Sequence, residues 1–195
     1  FSCMITTDQC GRNVEITDSP KRIVSLVPSQ TELLYDLGLG ERVCGITRFC
    51  IHPEEWFRTK IRVGGTKQVK MELIRELQPD LIIANKEENV KEQIEAMEKD
   101  WPVWVSDVNN LAQALDMIRQ IGEITNTAAK ASILRSEIKT AFETAANNNI
   151  PLRTAYLIWK DPWMTIGGDT FIHDMLEKAG LANIYQSASR YPEIS

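Results

Sequence analysis

The sequence predicts an α/β fold, two doubly wound lobes joined by a long backbone helix, with the second lobe only begun within these 195 residues. Three observations predict it. Short, β-branched apolar runs alternate with amphipathic helical stretches over roughly the first hundred residues, the pattern of a mostly parallel sheet covered on both faces. One long helical stripe follows, over residues 127–147. Beyond it a strand-and-helix pattern starts again and the sequence stops at Ser195, before the new lobe can bury a sheet face.

The elements read in order as follows. Residues 4–7 and 14–17 are β-prone and flank Asp8–Asn13, whose Gly11 suits a hairpin turn. Residues 23–27 (IVSLV) form a buried strand. Ser29 precedes Glu32 at capping-box spacing, so a helix is expected from Ser29 through Leu33, Leu34 and Leu37 to a stop at Gly38. Strands follow at 43–47, 61–63, 81–84 and 103–105, with helices at 71–77 and 90–99. Residues 111–124 make a further helix. The next helix, 127–147, carries Ala131, Leu134, Ile138, Ala141, Phe142 and Ala145 on one stripe and is about 30 Å long, enough to cross between lobes. Asn147–Asn149 ends it. One strand over 153–159 and one helix over 171–178, closed by Gly180, open the second lobe. The domain organisation expected is a hairpin segment at 1–20, an N-terminal lobe at 21–108, a helical linker at 109–150 and the start of a C-terminal lobe at 151–195.

Composition excludes several classes. The chain is 43% hydrophobic and 25% charged, ordinary globular values. A net charge of −5 argues against nucleic-acid binding, which needs a basic surface for phosphates. No apolar run reaches the ~18 residues of a membrane span; no export signal is visible in these residues, whether removed or never present, and Met4 and the bulky neighbours of Cys3 argue against its being a lipid attachment point. The four cysteines form no C-x-x-C pair and read as small buried hydrophobes, three disulfide connectivities being possible if they pair. Nucleotide-binding and nucleophile-elbow motifs are missing: Gly38-Leu39-Gly40 follows a helix, not a strand. His52 and His173 are the only histidines, so a zinc site would need distant ligands. No catalytic residue, metal ligand or cofactor is assigned.

What remains is a set of polar and aromatic residues at strand C-terminal ends, where open α/β sheets bind ligands. They are Pro28, Ser29 and Gln30; Arg48, Phe49, His52 and Trp56; Gly64, Gly65, Thr66 and Lys67; Asn85 and Lys86; then Trp159, Lys160, Asp161, Pro162, Trp163 and Tyr191. Each has a structural alternative. Ser29 can be only a helix cap, Phe49 and Trp56 can pack beneath a loop, His52 can orient its loop, and Lys86-Glu87-Glu88 can be a solvated face. Trp159 and Trp163 hold two indoles around one turn, a flat surface suited to a planar ring ligand, with core packing as the alternative for either.

Residues 22–32 (RIVSLVPSQTE), preceded by 7–12 (TDQCGR), resemble the opening of the periplasmic binding proteins for cobalamin and iron–siderophores. Val63-Gly64-Gly65-Thr66 and 77–84 (LQPDLIIA) resemble the next block of that family. The resemblance implies a monomeric substrate-binding component of an ABC-type importer, not an enzyme, which captures a metal chelate between its lobes and delivers it to a membrane permease from the periplasmic side. With the cargo between the lobes, the strand-end residues Pro28, Ser29, Arg48, Phe49, Thr66, Lys67, Asn85, Trp159, Trp163 and Tyr191 are the ligand-binding candidates, and by position the resemblance sets Glu72 against permease arginines. Thr66 and Asn85 stand where the cobalamin branch has tryptophans, while Arg48 and Lys67 suit an anionic chelate. The rival expectation is a two-lobed enzyme handling a metal or cluster, for which Cys50 is the best-placed thiol.

Overall fold

The computed structural model describes residues 3–145 and 151–194. Two compact units emerge: unit 1 holds the residues up to Asp107 with Ile118–Ala131, and unit 2 holds Val108–Met117 with the residues from Ser132 onward.

Unit 1 opens with an antiparallel hairpin of β1 (Cys3–Thr7) and β2 (Asn13–Thr17). Its sheet contains β3 (Ile23–Ser25), followed by α1 (Pro28–Asp36); β4 (Val43–Ile46), followed by α2 (Glu54–Thr59); β5 (Ile61–Arg62), followed by α3 (Met71–Leu77); β6 (Leu81–Asn85), followed by α4 (Lys91–Met97); and β7 (Val103–Ser106). The strands lie in the order β5-β4-β3-β6-β7, and every neighbouring pair is parallel. The chain winds outward from β3 through β4 to β5, then returns to β6 on the other side of β3. The β3/β6 gap is therefore the topological switch point.

Alternation along each strand sorts the residues onto two faces. Val24, Ile82, Ala84, Val103 and Val105 pack with Ile74 and Leu77 of α3 and with Ile94 and Met97 of α4. On the other face Thr31 of α1 donates to Ser25 Oγ at 2.8 Å, and Gln30 donates to Ser106 Oγ and to Ala84 O. Near-continuous burial of strands such as LIIA at 81–84 is what a sheet covered on both sides requires.

The edge of β7 is closed by the hairpin turn. Gln9 N donates to Val105 O at 3.2 Å, Val105 N donates to Asp8 Oδ2 at 3.2 Å, and Arg12 Nη2 donates to Val103 O at 3.3 Å. Covering an edge in this way removes its unpaired ladder from solvent.

Helices α5 (Leu111–Ile124) and α6 (Ala128–Ala145) each contribute residues to both units. Unit 2 adds β8 (Leu152–Thr154), β9 (Leu157–Trp159), β10 (Met164–Thr165), α7 (Phe171–Lys178) and β11 (Leu181–Asn183). β8 pairs with β11 in parallel, and β9 pairs with β10 antiparallel.

Several expectations need correction. Pro28 occupies the first helical position, so the cap of α1 is Val27 and Ser29 lies inside the first turn, making no cap bond. The single strand expected over 153–159 is two strands in different sheets, broken at Ala155-Tyr156. The stripe on α6 buries only Ala131; Ala141 and Ala145 are exposed and Leu134, Ile138 and Phe142 half-buried. Asn147–Asn149 lie outside the described residues. All four cysteines are free, and only Cys50 is buried, while Cys3 and Cys10 are exposed.

Candidate ligand-binding site

Because the five strands of unit 1 run the same way, the loops that leave their C-terminal ends share one edge of the sheet. Pro28, Ser29, Arg48, Phe49, Thr66, Lys67 and Asn85 all belong to those loops or to the strand ends and helix starts that border them.

Arg48 and Phe49 are exposed in the loop after β4. The guanidinium carbon of Arg48 lies 4.9 Å from the Phe49 ring centroid, and Phe49 keeps 49% of its surface exposed. Both residues lie against Gly65, where an added Cβ would come within 3.2 Å of Phe49 Cε2 and 3.4 Å of Arg48 Nε. Gly64 has φ +114° and its backbone runs beside Gln68 O, leaving no room for a side chain. Arg48 N donates to Gly64 O at 2.8 Å, tying the loop after β4 to the loop after β5. An exposed cation stacked on an exposed aromatic face suits a flat, negatively charged ligand.

The other predicted residues divide. Ser29 is exposed and Pro28 half-buried at the start of α1. Lys67 is exposed, with its ammonium on Glu87 O. Thr66 is buried, and its carbonyl accepts from Asn89 Nδ2 at 2.9 Å. The Asn85 amide is engaged on both sides: Nδ2 donates to Ser106 Oγ at 2.9 Å, and Oδ1 accepts from Glu87 N and Glu88 N. Trp56 is core, edge-on to Tyr35 at 5.4 Å, so the packing alternative holds for it and the exposed alternative for Phe49. Lys86 pairs with Asp107 rather than standing as a purely solvated charge.

In unit 2, Trp159 and Trp163 close the two ends of the β9–β10 turn and remain 63% and 46% exposed. Lys160 Nζ lies 5.9 Å from the Trp163 ring. The segment carrying Tyr191 runs alongside β10, with Thr165 N donating to Pro192 O at 3.1 Å and Ile194 N donating to Trp163 O at 2.9 Å. Three predicted aromatics thus share one small antiparallel region. Glu72 is exposed on α3.

The thiol favoured for the rival reading is not available. Cys50 is fully buried, and its sulfur sits 3.1 Å from both Thr31 Oγ1 and Thr47 Oγ1. Among the described residues no three His, Cys, Asp or Glu side chains converge as a metal-binding group. No described helix is long and apolar enough to cross a membrane.

Residues 23–195 match the sequence profile of the family described as periplasmic binding protein. The chain belongs to that family. It is 33% identical over 181 residues to an uncharacterized ABC transporter substrate-binding lipoprotein, YvrC, of Bacillus subtilis, covering 87% of this chain and 57% of that protein. It is 26% identical to the vitamin B12-binding protein of Vibrio parahaemolyticus, covering 90% of this chain and 65% of that protein. The chain therefore spans less than two thirds of these relatives. The periplasmic vitamin B12-binding protein BtuF of Vibrio cholerae superposes with a TM-score of 0.79 at 24% identity, covering 90% of this chain and 71% of that one, a likeness of fold.

Two parts of the site escaped sequence reasoning. Asn89 and Gln93 anchor the loop after β5, and neither lies at a strand end. Their signal was an Asn at positions 85 and 89, spaced for side-chain bonding to nearby backbone.

Proposed function

We propose that this chain is the ligand-capturing part of an ABC importer's substrate-binding protein, and that it takes a metal chelate bearing negative charge. The observation that carries the reading is the Arg48–Phe49 platform seated on Gly65 at the C-terminal edge of the parallel sheet. The family membership and the names of the relatives support it. Arg48, Phe49 and Lys67 supply charge and stacking, and Pro28 and Ser29 border them. Thr66, which is buried, and Asn85, whose amide is engaged by Ser106, Glu87 and Glu88, shape the loops. Trp159, Trp163 and Tyr191 offer a second aromatic surface in unit 2. Glu72, exposed on α3, is the carboxylate for the permease's arginines.

In this reading the protein binds and releases without chemistry, as a monomer on the outer side of the inner membrane. Titration with cyanocobalamin, haemin and a ferric hydroxamate siderophore, followed by quenching of tryptophan fluorescence, tests it. Saturable quenching by at least one chelate, weakened in Arg48→Ala and Phe49→Ala, is expected. Flat titrations with all three overturn the reading.

A further inference from the structure

We propose that Asn89 is the positioning residue of the ligand platform: one buried amide that locks three strand-end loops together at the topological switch point. The inference rests on the reading of that sheet edge as a ligand site.

Asn89 precedes α4 and keeps only 7% of its surface exposed. Its Nδ2 donates to Thr66 O at 2.9 Å and to Leu26 O at 3.4 Å, while its Oδ1 accepts from Asn85 N at 2.8 Å. Those partners lie after β5, after β3 and at the end of β6. β5 and β6 are not neighbours, since β4 and β3 lie between them in the sheet. The sheet's own ladder therefore cannot fix the loop after β5 relative to β6, and the side chain does so instead. Gln93, in the first turn of α4, extends the clamp: its Nε2 donates to Lys67 O at 3.1 Å and its Oε1 accepts from Val69 N at 2.9 Å.

The consequence reaches the ligand through Gly65. Gly65, within the loop from Gly64 to Lys70, is the point against which Phe49 and Arg48 rest. Held at Thr66, Lys67 and Val69, that loop is preformed, and a preformed surface spares a ligand the entropy of ordering it. Donation is the essential function, because two carbonyl oxygens converge on Nδ2. Asn89→Asp keeps the acceptor for Asn85 N but sets carboxylate oxygens against carbonyl oxygens.

The test uses the full chain with Asn89→Asp, Asn89→Ala and Gln93→Met. Amide exchange of residues 64–70 is expected to accelerate roughly tenfold in both Asn89 variants, with strand β3 and residues 81–84 of β6 unchanged. Affinity for whichever of cyanocobalamin, haemin or the ferric hydroxamate siderophore the parent binds is expected to fall about tenfold, chiefly through faster dissociation. Gln93→Met should give a smaller change of the same kind. Uniform acceleration across the sheet would make Asn89 an ordinary core residue and overturn the proposal, as would wild-type behaviour of Asn89→Asp. A loosened loop with unchanged affinity would overturn it too. If the parent binds none of cyanocobalamin, haemin and the ferric hydroxamate siderophore, the functional reading falls, and exchange in the 64–70 segment alone upholds or overturns the clamp.

Discussion

The guanidinium of Arg48 stacks on the ring of Phe49, 4.9 Å from its centroid, so one turn after β4 presents positive charge and a flat apolar face together. Neither residue is needed by the core, since both are exposed. Phe49→Ala should therefore weaken chelate binding by about 1 kcal/mol while thermal unfolding stays within a degree or two of the parent. Gly65→Ala should weaken binding as well, because the new Cβ would sit 3.2 Å from Phe49 Cε2 and press the ring by a few tenths of an ångström. Isothermal titration alongside thermal unfolding separates the two effects. Equal losses of stability and affinity would count against the platform.

Asp8 gathers the N-terminal hairpin onto the sheet edge. Its carboxylate accepts from Cys10 N, Arg12 N and Val105 N, and pairs with the Arg12 guanidinium at 2.6 Å. Asp8 is buried, while Arg12 keeps a third of its side chain in water and also pairs with Glu98. Removing the buried partner should cost about 3 kcal/mol, and the freed β7 edge should raise aggregation on heating. Urea unfolding and light scattering of Asp8→Ala check both. Stability within 1 kcal/mol of the parent would refute this account of the edge.

Legibility in the sequence followed the range of the interactions. The helices at 71–77, 111–124 and 171–178 were readable to the residue because their signals are local: apolar spacing, with Pro79 after the first and Gly180 after the last. The start of α1 was misplaced because Ser29 and Pro28 both carry helix-start signals, and the fixed φ of proline at the first position wins. Arg48, Phe49 and Lys67 were legible as strand-end residues. The clamp of Asn89 on Thr66 was not, since it joins residues 23 apart that share no sequence pattern. Trp56 and Phe49, seven residues apart, separate in the fold: Trp56 is buried on α2 against Tyr35, while Phe49 is exposed in the loop after β4.

Cys10 is an exposed thiol in the hairpin turn, yet its pKa is raised. Partial desolvation is the larger cause, and the Asp8 carboxylate beside it adds to the shift. Thiolate is the reactive form, so a raised pKa leaves less of it at any pH below the ordinary thiol range. Alkylation of Cys10 by iodoacetamide at pH 7.5 (a condition of the assay) should run slower than for free cysteine, and Asp8→Asn should speed it. Mass spectrometry of the peptide containing Cys10 reads the rate. A rate at or above that of free cysteine would contradict the assignment.

Asp169 holds the chain that leads to Tyr191. Its carboxylate accepts from Ser189 Oγ at 2.7 Å and from Arg190 N at 2.6 Å. The Ser189 bond first, and the Arg190 amide second, lower its pKa from the ordinary carboxylate value. The folded state thus holds the charged form more strongly than the unfolded chain does. Its contribution is fully present above the ordinary carboxylate pKa and is lost as pH falls through the lowered folded value. The Arg190 amide resonance should therefore be constant from neutral pH down to the ordinary carboxylate range and move only below it. Asp169→Asn, which cannot ionise, should abolish that step. A step that survives in Asp169→Asn, or a midpoint above the ordinary carboxylate pKa, would assign the transition to another group.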